Sequence, residues 1–115
     1  MRPKATLTTV LVFVTTSTKA EAKKIAQALL EKRLIACANI YGPVESSFWW
    51  QGKIDEAKEF LVFIKSDQQL VAKLAEVVEQ MHSYEVPEVL AIPIVGGFQP
   101  YLKWLRETLV VSGEQ

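Results

Sequence analysis

The chain has 115 residues, half of them hydrophobic and 23% charged, with thirteen basic side chains balancing thirteen acidic ones. That size and composition fit one globular domain that buries a core without disulfide or metal staples, and no second domain is expected. The charges are scattered, so no basic footprint for a nucleic-acid backbone is visible; Trp49-Trp50 offers rings for base stacking but no basic groove beside them.

Thr15, Thr16, Lys19, Lys65 and Asp67 interrupt the apolar runs before any reaches the roughly 18 residues of a membrane span. No nucleic acid and no membrane are therefore expected as partners. The single cysteine, Cys37, cannot form an intrachain bridge, and no signal-peptide pattern is recognisable; both point to the cytoplasm.

In chain order, Leu7 to Thr16 comes first, with Val10, Val12 and Val14 on one side and Leu11 and Phe13 on the other. Apolar residues on both alternating sets predict a strand buried on two faces. Thr18 and Glu21 have capping-box spacing, and Ala22, Ile25, Ala26, Leu29 and Leu30 follow at helical intervals, so an amphipathic helix is expected to end near Arg33. Ile35 to Tyr41 is a second short apolar run up to Gly42-Pro43. A β pattern then continues through Phe48, Trp49 and Trp50 to a turn at Gln51-Gly52. Ile54 to Lys65 is the returning arm of this long hairpin, with Phe60, Val62 and Ile64 on one face and Leu61 and Phe63 on the other.

Ser66 with Gln69 repeats the capping-box spacing ahead of Leu70, Leu74, Val77 and Met81, which predicts a second helix. Pro87 disfavours helix before it, and Val89 to Val95 is a last two-sided strand, set at a sheet edge by Pro93. Pro100 suits the first turn of a third helix with Leu102, Leu105 and Leu109 facing inward and Ser112-Gly113 as its stop; a frayed tail is expected beyond.

Strand, capping box, helix and strand thus occur twice. The expected fold is α+β, a ferredoxin-like βαββαβ antiparallel sandwich with a long hairpin between the second and third strands and an extra C-terminal helix. It forms one domain over residues 1–115, with an ordered core of about 8–110. Two helices cover one face of such a sheet. The other face, with Leu11, Phe13, Leu61 and Phe63, is an apolar patch of a kind soluble monomers rarely expose. Further copies of the chain in a closed ring are expected to cover what the third helix does not.

Several segments resemble those of the CutA proteins, known as divalent-cation tolerance proteins. They are Thr18 to Leu34 with Ala36-Cys37-Ala38-Asn39-Ile40, the hairpin Ser47 to Ile54, Glu59 to Lys65, His82 to Glu88, and Tyr101 with Trp104. They stand in the family's order and spacing over residues 8 to 110. The resemblance implies a cytoplasmic homotrimer paired through its sheets, similar to the PII signalling proteins, and a part in tolerance to copper and other divalent metals. In copper-binding members a Cys ends the first strand and a His-His pair precedes the Tyr-containing segment; this chain has Val14 and Met81-His82 there, so only His82 carries over.

Soft ligands for copper are few: Cys37, His82, Met1 and Met81, with no pair at i, i+3 or i, i+4 of strong ligands. Weak binding of Cu(II) or Cu(I) is expected at His82, with Met81 and Cys37 as further candidates. The bland alternatives are a solvent-facing or helix-capping His82 and a Cys37 that is a small buried hydrophobe. Tyr84, Glu85 and Glu88 form a compact segment that in the family borders an intersubunit pocket, which Trp50, Lys65 and Trp104 are expected to join. Against this stands simple interface packing of the tryptophans, and both readings stay open. No nucleophile with a base, no phosphate loop and no paired-carboxylate arrangement is recognisable, so no enzyme is expected. The functional expectation is a homotrimeric divalent-cation tolerance protein that binds or responds to metal. The alternatives are a PII-like trimer receiving a small anionic metabolite or protein partner in its clefts, and a scaffold that docks through the hairpin tip, Trp49 to Asp55.

Overall fold

The computed structural model describes residues 8–110. Its elements are β1 (Thr9–Thr16), α1 (Lys19–Glu31), β2 (Cys37–Trp50), β3 (Lys53–Asp67), a 3-10 turn (Gln68–Leu70), α2 (Val71–Met81), β4 (Val89–Pro93) and α3 (Gln99–Thr108). The strands form one antiparallel sheet in the order β2-β3-β1-β4, the ferredoxin-like arrangement expected. Pro93 lies on an edge strand, where its missing N–H costs no ladder bond. Leu7, Met1 and Ser112-Gly113 lie outside the described residues; α3 already ends at Thr108.

Cross-strand register sorts the side chains as the alternation predicts. Val10, Val12 and Val14 pair with Ser66, Ile64 and Val62, and this face packs on Ile25 and Leu29 of α1 and Leu74 and Val78 of α2. Thr18 caps α1 by accepting from the Glu21 N–H at 3.1 Å.

The second cap differs from expectation. Ser66 still belongs to β3 and donates its hydroxyl to the Leu34 carbonyl at 2.7 Å, while Asp67 accepts from the Gln69 N–H at 2.9 Å. Ser66 points to the helix face and is drawn into the core, so the next residue is free to cap.

Gln51 and Gly52 form a two-residue hairpin turn, both at positive φ, matching the right-handed twist of the strands they join. The arm they close projects beyond the sheet and makes the molecule 54 × 27 × 26 Å. The β2-β3 register shifts between Tyr41 and Val44, where Gly42 has φ 154° and a Cβ there would come within 2.5 Å of the Phe60 ring. Gly42→Ala is therefore expected to destabilise the protein by about 1–3 kcal/mol through overpacking, seen as a lower urea midpoint with an unchanged slope.

The second sheet face carries Leu11, Phe13, Tyr41, Leu61, Phe63, Leu90 and Ile92. Phe63 stacks between Phe13 and Tyr41, at centroid distances of 4.8 and 4.9 Å. Among the described residues no helix crosses this face: Tyr41 is 55% exposed, Leu90 58% and Ile92 48%. α3 covers only the end of the sheet where β2 begins, with Val110 N–H donating to the Arg33 carbonyl and the Arg33 guanidinium donating to the Thr108 carbonyl. Leu105 and Leu109 join the core as expected, but the C-terminal helix does not close the sheet by itself.

Candidate functional site

At the far end of the sheet, β1 runs out at Thr16, α1 begins, and the chain leaving α2 crosses back over both. Pro87 disfavours helix in the residue before it, so 82–88 is an irregular strap between α2 and β4. His82 opens the strap with its side chain fully buried. Its Nε2 lies 2.6 Å from the Thr15 carbonyl, which can only accept, so Nε2 carries the hydrogen; Nδ1 then accepts from the Tyr84 N–H at 3.0 Å. His82 is the C-cap residue of α2, as one expectation had it, but it does not face solvent: its ring turns inward and pins the strap to β1.

This bridge turns Tyr84 toward β3. Glu59, 6% exposed, lies beside Phe60, the partner of Thr16, and accepts the Tyr84 hydroxyl at 2.8 Å. Burial, the bond to Glu59 and the charges of Glu59 and Glu21 push the Tyr84 pKa up to about 12. Partial burial and the nearby Glu59 charge raise Glu88 above the ordinary 4.5. The folded state thus holds the Glu88 proton more firmly than the unfolded chain, and ionising Glu88 costs stability as pH rises through its folded pKa. Glu88→Gln is expected to be slightly more stable than the native protein at pH 7, within about 0.5 kcal/mol because the side chain is exposed, with the difference vanishing below pH 4.5 in urea titrations.

The other expected site residues separate into different regions of the chain. Lys65 donates to Asn39 Oδ1 at 3.0 Å and pairs across the sheet with Cys37. Cys37 is the first residue of β2 and half-buried, not a fully buried mid-strand residue, with its Sγ 3.7 Å from the Tyr101 hydroxyl. Trp104 lies against Tyr101 at 5.4 Å, on the same end of the sheet. Trp50 stands at the hairpin tip and Glu85 is exposed on the strap. One chain therefore brings Tyr84 and Glu88 together but not with Lys65, Trp104 or Trp50. Nor do the soft ligands converge: Cys37 is level with Leu11 of β1, whereas His82 binds Thr15, four residues further along. Among the described residues no group of three or more His, Cys, Asp or Glu side chains is arranged to hold a metal ion.

Glu59 and Glu21 went unrecognised in the sequence as site residues. Glu59 follows charged hairpin residues and looks like another solvated side chain; only its burial in the folded chain and its bond to Tyr84 set it apart.

The model of the family described as CutA1 divalent ion tolerance protein matches residues 10–108. The Divalent-cation tolerance protein CutA of Archaeoglobus fulgidus is 43% identical over 98 residues, covering 85% of this chain and 95% of that protein. The chloroplastic Protein CutA 1 of Oryza sativa is 40% identical over 103 residues, 90% of this chain but 58% of the relative, so the chain spans little more than half of that plant protein. The solved divalent cation tolerance protein (Cut A1) of Thermus thermophilus superposes with a TM-score of 0.86 at 40% identity, over 88% of this chain and 98% of that one. The solved Archaeoglobus protein, described as periplasmic, superposes with a TM-score of 0.84 at 42% identity over 87% and 97%. Sequence, fold and the long hairpin agree: the chain belongs to the CutA1 divalent ion tolerance protein family.

Proposed function

We propose that this divalent-cation tolerance protein works as a cytoplasmic homotrimer without a catalytic step, and that its cation site is the Tyr84-Glu59-Glu88 cleft, closed by a neighbouring subunit. The observation that carries the proposal is the uncovered sheet face, where Tyr41, Leu90 and Ile92 each expose about half their surface around a stack of phenylalanines. A ring of copies covers such a face on every subunit by the same contact. It also brings a neighbour's residues to the cleft, which explains how side chains as far apart as Lys65, Trp104 and Trp50 would come to act with Tyr84. Trp49 and Ile54 on the arm, 72% and 66% exposed, extend the apolar surface offered to that neighbour. The half-buried, unbridged Cys37 supports a reducing compartment.

Glu88 feels the charge of Glu59, and two neighbouring carboxylates favour a cation over an anionic metabolite, while two oxygen donors without a soft ligand suit weak binding. His82 offers no lone pair while Tyr84 N–H occupies Nδ1, so the proposal sets the cation at the carboxylates. Calorimetric titration of the metal-free protein with Cu(II) and Mn(II) tests this. Weak heats that disappear in Glu59→Gln and Glu88→Gln but persist in Cys37→Ser are expected. Heats untouched by the two glutamine variants would remove the cleft as the cation site, and heat only with a nucleotide or other anion would favour the PII-like alternative.

A further inference from the structure

Glu21 has capping-box spacing in the sequence, yet the cap does not need its carboxylate: Thr18 Oγ1 already accepts from the Glu21 N–H, and the return contacts from Ser17 N and Oγ are long, at 3.4 and 3.3 Å. The short bonds go elsewhere. Ser83, 62 residues away on the strap, donates its N–H to Oε2 at 2.6 Å and its hydroxyl to Oε1 at 3.1 Å. Oε2 also lies 3.8 Å from His82 Nδ1. Burial raises the Glu21 pKa, but the two bonds from Ser83 lead the opposing hydrogen bonds and hold the carboxylate below its ordinary range. Ser83 sits between the two residues that shape the cleft, His82 bonded to Thr15 and Tyr84 bonded to Glu59.

We infer that Glu21 is the positioning residue of the cleft: its carboxylate clamps Ser83 to the start of α1 and so sets the Tyr84 hydroxyl on Glu59. A charged acceptor bonding a backbone N–H is among the stronger hydrogen bonds a protein makes, and here it fixes the start of a strap that has no ladder of its own. Removing it frees the strap, and Tyr84 leaves Glu59. The functional weight of the clamp rests on the cleft proposed above, but its test does not involve a metal, so the two proposals fail separately.

Hydrogen exchange of the full chain, read by peptide mass spectrometry, is compared for the native protein, Glu21→Ala, Glu21→Gln and Thr18→Ala, together with O-acetylation of Tyr84 by N-acetylimidazole. Glu21→Ala is expected to raise exchange over 82–88 about tenfold or more, in keeping with the loss of a charge-assisted bond, and to make Tyr84 reactive. Glu21→Gln, which keeps an acceptor oxygen, restores part of the protection. Thr18→Ala frays the first turn of α1 and leaves the strap as in the native protein. Unchanged exchange over 82–88 or an unreactive Tyr84 in Glu21→Ala overturns the inference. Should that variant not fold, Glu21→Gln and Ser83→Ala decide the matter: smaller increases in both readouts support the clamp, and native behaviour in both refutes it.

Discussion

Replacing Ile92 by aspartate is expected to abolish assembly. Ile92 stands on β4 opposite Leu11, on the face no helix covers, and is 48% exposed in the single chain. Within one subunit the change removes little packing, so the fold of an isolated chain loses no more than a typical surface substitution does, about 0.5 kcal/mol. Against a neighbour the same carboxylate is stripped of water among leucine and phenylalanine side chains, with no partner to compensate it. An uncompensated buried charge costs about 3–5 kcal/mol, and in a ring every interface suffers it. Each 1.4 kcal/mol is a factor of ten, so the dissociation constant should rise by at least about a hundredfold per interface. Sedimentation should then show one-chain species or aggregates, with a much lower melting temperature, while Ile92→Val behaves as native. An Ile92→Asp protein that stays assembled at native stability would show that this face is not an interface.

His82→Ala should be among the most damaging single substitutions in the chain. It leaves the Thr15 carbonyl and the Tyr84 N–H without their partner and opens a cavity where a fully buried ring had been. Each unsatisfied buried group costs about 1–3 kcal/mol, so a loss of roughly 2–5 kcal/mol is expected. Urea unfolding of both proteins at the same concentration measures it, since the proposed assembly would make apparent stability depend on concentration. A histidine serving only to bind a metal would behave in the opposite way, its removal leaving the metal-free protein as stable as before.

Strand alternation and helix spacing made nearly the whole architecture legible, because a two-faced sheet and amphipathic helices write their burial directly into periodicity. Val10, Val12 and Val14 against Leu11 and Phe13 already named both faces of β1. The cap of the 3-10 turn ahead of the second helix was ambiguous for a local reason. Ser66 and Asp67 are both good capping residues, and only the side of the sheet each points to separates them. The site was less legible because its bonds link residues far apart in sequence, Glu21 to Ser83 and Glu59 to Tyr84. Tyr84 and Glu88 announced themselves as a dense polar and aromatic segment, but their partners sit in stretches whose composition is that of any solvated helix start or hairpin arm. His82 was picked out as the only histidine in the chain, yet periodicity does not show which hydrogen bonds a ring nitrogen will make.

Sedimentation equilibrium of the native protein over a wide dilution range bears most directly on the claim that sister subunits shield the bare side of the sheet. A mass three times the 12.9 kDa of one chain, holding down to nanomolar concentration, is the expected result. A folded, stable species at 12.9 kDa would contradict it.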